Sequence, residues 1–147
     1  MVDMAISKDV LVQYIDLRKE VKEIQQKINK LEQQIEKIES EGAVIDKVLG
    51  GAGGIQSFRI EGFPYPSYSR KKTLLYARKA TLSELEMEVI ETLNQVELFI
   101  SNIKDSHIRR IVNYRVVDGL SWSQVAQKIG NNTEDSVRKA FERFMEK

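Results

Sequence analysis

Arg138, Lys139 and Arg143 lie near the C-terminus on a stretch whose apolar positions, Val137, Phe141 and Phe144, keep helical spacing. Cations on the outer side of such a helix suit polyanion binding. A guanidinium can give two parallel hydrogen bonds to a base edge or a phosphate, whereas an ammonium acts as a point charge. Arg138, in the N-terminal half of the helix, is the expected base reader, with Lys139 and Arg143 on phosphates. Asn132, Thr133 and Ser136 could add polar contacts from the start of that helix. Ser121 or Gln124 could meet backbone phosphate from the helix before it. For Thr133 and Ser121 a purely capping role explains the residue type equally well. Trp122 is expected to pack against Ile111 or Tyr114 rather than touch DNA.

No comparable set points to catalysis. His107 is the single histidine and cysteine is absent, so disulfides, thiolate metal sites and histidine-dependent triads lack their parts. The glycine run Gly50 to Gly54 has no Lys-Ser/Thr after it, as a phosphate loop requires, and reads as a hinge. Neither a cofactor nor an enzymatic activity is expected.

The elements that must position these side chains are legible in the C-terminal 44 residues, 104–147. Asp105 can cap a helix over DSHIRRIVNYRVVDG, with Ile108, Ile111, Val112 and Val116 facing inward and Gly119 ending it. Ser121 and Gln124 have capping-box spacing and open a short helix, WSQVAQKI, whose buried stripe is Val125, Ala126 and Ile129. Gly130 suits a positive φ at its end, and Thr133 can cap the last helix, with Glu134 and Asp135 at the positive end of its dipole. A small residue where two helices cross, a glycine four positions later and a hydroxyl-capped helix with a basic outer side form the helix-turn-helix pattern.

Further upstream, Val10, Tyr14, Leu17, Val21, Ile24, Ile28, Leu31, Ile35 and Ile38 alternate spacings of four and three, a heptad seam flanked by Glu, Lys and Gln. Ser7 fits its N-cap and Gly42 its stop. From about Arg70 to Ile103, Leu75, Leu82, Leu85, Val89, Leu93, Val96, Ile100 and Ile103 form a second stripe of matching length. Two such helices predict an antiparallel coiled-coil hairpin. Between them, about residues 43 to 69, a flexible Gly/Pro-rich insert is expected, with a short strand possible at Ser57 to Ile60 and helix forbidden by Pro64 and Pro66. Phe63, Tyr65 and Tyr68 lead from it into Arg70, Lys71, Lys72, Arg78 and Lys79; packing the tip of the arm is favoured over stacking on nucleic acid.

The fold class is therefore all-α: a coiled-coil arm over residues 1–103 and a helix-turn-helix domain over 104–147. Net charge is only +1, but it is uneven: −2 over residues 1–41, +5 over 42–81, −5 over 82–103 and +3 over 104–147. Contacts with polyanions should thus be local. The N-terminal stretch has acidic residues and no apolar run of signal-peptide length, and no uncharged stretch is long enough to span a bilayer, so a cytoplasmic protein without membrane contact is expected.

The run DSHIRRIVNYRVVDGLSWSQVAQKIG followed by SVRKAFERF resembles DNA-binding region four of bacterial sigma factors. Arg109 or Arg110, Ile111 or Val112, Arg115 and Gly119 match the family's helix before the helix-turn-helix. The coiled coil and the GGAGG-to-FPYP layout extend the similarity to sigma-like prophage regulators of Gram-positive bacteria related to RinA and ArpU. This chain departs in two ways: its turn from Gly130 to Val137 is one residue longer, and it has no counterpart of the promoter-melting region two. The resemblance implies a phage-type transcriptional regulator that binds double-stranded DNA, with the arm dimerising or reaching RNA polymerase. The alternative is an oligomeric DNA-packaging adaptor resembling a small terminase subunit.

Overall fold

The computed structural model describes residues 7–50 and 63–147, with side chains over 7–42 and 63–147. All regular structure among the described residues is helical: α1 (Asp9–Gly50), α2 (Tyr65–Ser101), α3 (Ser106–Val112) running into a π-helical segment (Asn113–Val117), α4 (Trp122–Ile129) and α5 (Glu134–Glu146). None of these helices is long and apolar enough to cross a membrane. Two compact units divide the chain: one takes the described residues up to Glu20 together with Glu86 to Lys147, the other Val21 to Leu85.

In the unit of residues 21–85 the two long helices run antiparallel, because Glu39, Gln34 and Glu32 of α1 meet Tyr68, Lys71 and Lys79 of α2 in reversed order. The heptad seam is its core. Ile28, Leu31, Ile35 and Leu75 are buried, with Ile24, Leu82 and Tyr68 packed around them.

Two punctuation marks act differently from expectation. Gly42 does not stop α1, which continues to Gly50. It is buried because the Phe63 ring lies where a side chain would project, so any Cβ would collide with it; this glycine serves close approach rather than a helix end. Nor do the prolines keep α2 from starting early. Pro66 is the second residue of the helix, in the first turn, where an amide N–H would have no intrahelical acceptor. Pro64 precedes it, and its carbonyl accepts from Tyr68 N at 2.8 Å. Phe63 packs on Tyr65 and Tyr68, with centroids 4.4 and 5.4 Å apart. The strand considered at 57–60 and all but the first glycine of the run lie outside the described residues.

The other unit joins the start of α1 and the end of α2 to the short helices. Ser7 caps the opening turn of α1, its Oγ accepting from Asp9 N at 3.2 Å. Val10, Leu11 and Tyr14 pack against Val96 and Ile100, and the same cluster takes in Val112 and Val116. A second cluster, Ile111, Val125, Ala126 and Val137, holds α3, α4 and α5 together. Ile111, Val125 and Val137 have no solvent exposure. Phe141 borders both clusters and Phe144 the first, so α5 is anchored along its inner side.

Candidate nucleic-acid interface

Both ends of α4 and the start of α5 are held by the residue types that the sequence offered. Ser121 Oγ accepts from Gln124 N at 3.2 Å while Gln124 Oε1 accepts from Ser121 N at 2.9 Å, a reciprocal capping box. Removing such a cap costs about 0.5–2 kcal/mol. Gly130 closes α4 at φ +80° and ψ 147°, a conformation that a Cβ disfavours, and Asn131 follows at φ +54°. Thr133 Oγ1 then accepts from Ser136 N at 3.0 Å and starts α5. Asn132 spans the turn, donating from Nδ2 to Gly130 O at 2.9 Å and accepting from Ser136 Oγ at 3.1 Å. Five of the eight candidate contacts, Ser121, Gln124, Asn132, Thr133 and Ser136, are therefore brought together around two helix starts, each with at least one polar group already bonded.

The three cations stand on α5 away from the buried Val137. Arg138 lies between two carboxylates: it donates to Asp135, and its Nη1 is 3.5 Å from Glu142 Oε2. Lys139 Nζ reaches Asp135 Oδ2 at 3.0 Å. Arg143 is exposed and has no ion pair among the described residues. Lys139 first, then Arg138, hold the Asp135 carboxyl below its ordinary range. A depressed carboxyl contributes its pairing above the unfolded value and loses it only as pH falls through the lower folded value. At neutral pH the outer side of α5 therefore always carries this negative charge among its cations.

Not every nearby arginine is available to a ligand. Arg115 donates to Leu120 O at 2.9 Å and lies over the Trp122 ring at 4.3 Å, while Trp122 packs on Phe141. Trp122 thus packs as expected, within the cluster that includes Ile111 and Tyr114. Arg109 donates to Ile103 O at 2.8 Å and Arg110 to Lys128 O at 3.3 Å. Arg18, from α1, donates to Val117 O at 3.1 Å. Arg110 and Arg18 bind carbonyls at the C-terminal ends of α4 and the π-helical segment, where the dipole favours positive charge, while Arg109 and Arg115 bind carbonyls of the loops before α3 and before α4.

The helix expected over DSHIRRIVNYRVVDG begins at its Asp105 cap and widens at Asn113, where Asp118 N bonds back five residues to Asn113 O at 3.1 Å. Gly119, at φ +67°, leads out of it. Arg18 and Arg115 bind carbonyls of this widened turn and the loop behind it. Sequence reasoning missed the role of Arg18, whose partner lies 99 positions away.

A separate cationic groove of about 620 Å³ occurs in the unit of residues 21–85, lined by Lys27 and Lys30 of α1, by Arg70, Lys71 and Arg78 of α2 and by exposed Leu74. Lys71 bonds the neutral Gln34 at 3.1 Å, and none of the five cations has a carboxylate partner among the described residues. Across the seam, Lys72 and Lys79 pair with Glu39 and Glu32 at 3.9 and 3.2 Å. One side of the helix pair is thus neutralised and the other left positive.

Comparison with family models, curated proteins and solved structures finds no match to this chain.

Asp135 makes the α5 surface testable. Asp135→Asn removes the shared carboxylate and leaves Arg138 and Lys139 a stronger local field, so affinity for duplex DNA should rise several-fold at low salt, with a smaller gain at high salt. Fluorescence anisotropy with labelled duplex measures this; an unchanged or weakened affinity in the folded variant would place the DNA surface elsewhere.

Proposed function

We infer that this chain is a sequence-specific DNA-binding transcriptional regulator of the phage or prophage type, similar to sigma region four and without a promoter-melting module. The observation that carries the reading is the α4–turn–α5 pair. Val125, Ala126 and Val137 fix the crossing of the two helices, and the turn is set by Gly130, Asn132 and Thr133. Arg138, Lys139 and Arg143 face outward on the second helix. A short helix bound along its inner side and cationic along its outer side fits a major groove, which admits one α-helix.

α5 docks in the groove, with Arg138 on a base edge and Lys139 and Arg143 on phosphates. Ser121, Gln124, Asn132, Thr133 and Ser136 add polar contacts through the donors and lone pairs that capping leaves open. The five cations of the other unit's groove face an acidic partner, RNA polymerase in this reading, and supply its electrostatic attraction.

Selection of duplexes from a random pool by the full chain tests the function. Recovery of one short motif, bound far more tightly than scrambled duplex, is the expected result. Binding without sequence preference, by a large closed oligomer, would overturn the regulator and favour a packaging adaptor.

A further inference from the structure

The cationic groove in the unit of residues 21–85 has an order along its length. Lys71, Leu74 and Arg78 line it from α2 at spacings of three and four, with Arg70 next to Lys71. Cations thus stand one turn to either side of a single apolar side chain. From Arg70 to Arg78 the distance is about two helical turns, roughly 12 Å. Because the two helices are antiparallel, with Lys71 bonded to Gln34, Lys30 and Lys27 of α1 fall toward the Arg78 end. Leu74 between them is 42% exposed. The pattern is basic, apolar, basic, and no carboxylate lines the groove. Cations that serve solubility alone are interspersed with acids, as Lys72 and Lys79 are with Glu39 and Glu32 across the seam. A concave surface of one sign instead focuses its field and draws in a ligand of the other sign.

The lining also separates the acidic ligands that could fill it. No aromatic side chain lines the groove to stack on a base, and Phe63 is packed on Tyr65 and Tyr68. Duplex DNA is read by a convex element set into its groove, which a furrow between two helices is not. A phosphate backbone would carry charge past Leu74 without covering it, whereas a protein segment can bring an apolar side chain there and carboxylates to the cations. An extended segment would find no backbone partners for its N–H and C=O groups, since helix side chains form the groove. A helix satisfies its own. Carboxylates at positions i and i+7, with an apolar residue at i+3 or i+4, repeat the spacing of Lys71, Leu74 and Arg78.

We propose that this groove binds an acidic amphipathic helix of a protein partner, laid along the helix pair with an apolar side chain on Leu74 and carboxylates one turn before and after it. The proposal rests on the reading of the groove as the surface for an acidic protein and is independent of DNA binding by α5.

The probe is a library of helical peptides on an Ala/Gln background, with one side randomised among Glu, Gln, Lys and Leu, selected on the immobilised full chain. Peptides carrying Leu flanked by Glu at spacings of three and four should be enriched. In anisotropy measurements, a recovered peptide should bind the variant Lys27→Glu with Arg70→Glu at least about tenfold more weakly than the original chain, a difference that shrinks with salt. Leu74→Gln should weaken binding several-fold at low and high salt alike, because apolar contact is not screened. Lys72→Gln, across the seam, should bind as the original does. Lys27, Arg70 and Leu74 are exposed, so circular dichroism should stay unchanged in these variants. Acidic peptides enriched without that spacing, or indifferent to Leu74→Gln, would overturn the helix and leave an acidic partner in place. Recovery of no acidic peptide would overturn both. Nucleic-acid binding that is lost with Lys27→Glu and Arg70→Glu, yet kept when Arg138, Lys139 and Arg143 are replaced by Ala, would assign the groove to a phosphate backbone and overturn the protein partner.

Discussion

Replacing Ile28 and Leu31 together with Asp should abolish the folding transition of the unit of residues 21–85. Both side chains are about 5% exposed and meet Leu75 in the only core cluster described for this unit. Aspartates there would be carboxylates with no cation in the seam, and an uncompensated buried charge costs about 3–5 kcal/mol. Two of them exceed what one row of apolar contacts can offset in a helix pair, since long helices in water depend on the burial of one side. Far-UV circular dichroism should therefore lose a large share of its helical signal, and the remaining signal should melt over a broad range. The control is Asn29→Asp with Gln33→Asp, which adds the same charge to exposed positions of the same helix. It should keep the helicity. Unchanged helicity in the seam variant would mean that the seam of this unit does not hold the helices together.

That seam was legible because burial imposes a period. Every seam residue from Val10 to Ile38 is buried or half-buried, and the capping roles of Ser7, Asp105, Ser121, Gln124 and Thr133 follow from hydroxyl, carboxyl and amide groups placed beside free N–H groups. What escaped the sequence depends on partners distant in the chain or on hydrogen-bond register. Gly42 looks the same whether it ends a helix or admits a ring, and only the position of Phe63 decides. Pro66 reads as a helix breaker unless its place in the first turn is known. The π segment changes the bond register at Asn113 without disturbing the apolar spacing of Ile108, Ile111, Val112 and Val116, so nothing in that spacing announces it. At the candidate site, the polar and basic residues were legible as a set. Their mutual bonds, above all the shared carboxylate of Asp135, were not, because acidic and basic residues at helical spacing serve a solvated surface and a binding surface equally well.

If α5 reads DNA, substitution of Arg138, Lys139 and Arg143 by Ala in one chain should remove specific binding while leaving the fold intact. All three point away from the cluster that fixes the helix, and Val137, Phe141 and Phe144 remain to anchor it. The single changes should then differ in kind. Arg138→Ala should lower affinity for the target about ten- to a hundredfold and flatten preference at one position, since a bidentate donor pair to a base is lost. Its loss also leaves Asp135 and Glu142 less compensated, so Arg138→Ala combined with Asp135→Asn should recover general affinity but not the lost preference. Lys139→Ala removes a phosphate contact without sequence information: all duplexes should weaken alike, and the slope of log affinity against log salt should become about one unit shallower. Binding isotherms at several salt concentrations, on target and scrambled duplex, separate these outcomes. The decisive one is the triple variant, since Arg109 and Arg115 are half-buried and engaged with backbone carbonyls and offer no substitute for the cations of α5. A folded triple variant that still binds its target at the original affinity would remove α5 from the interface and the proposed function with it.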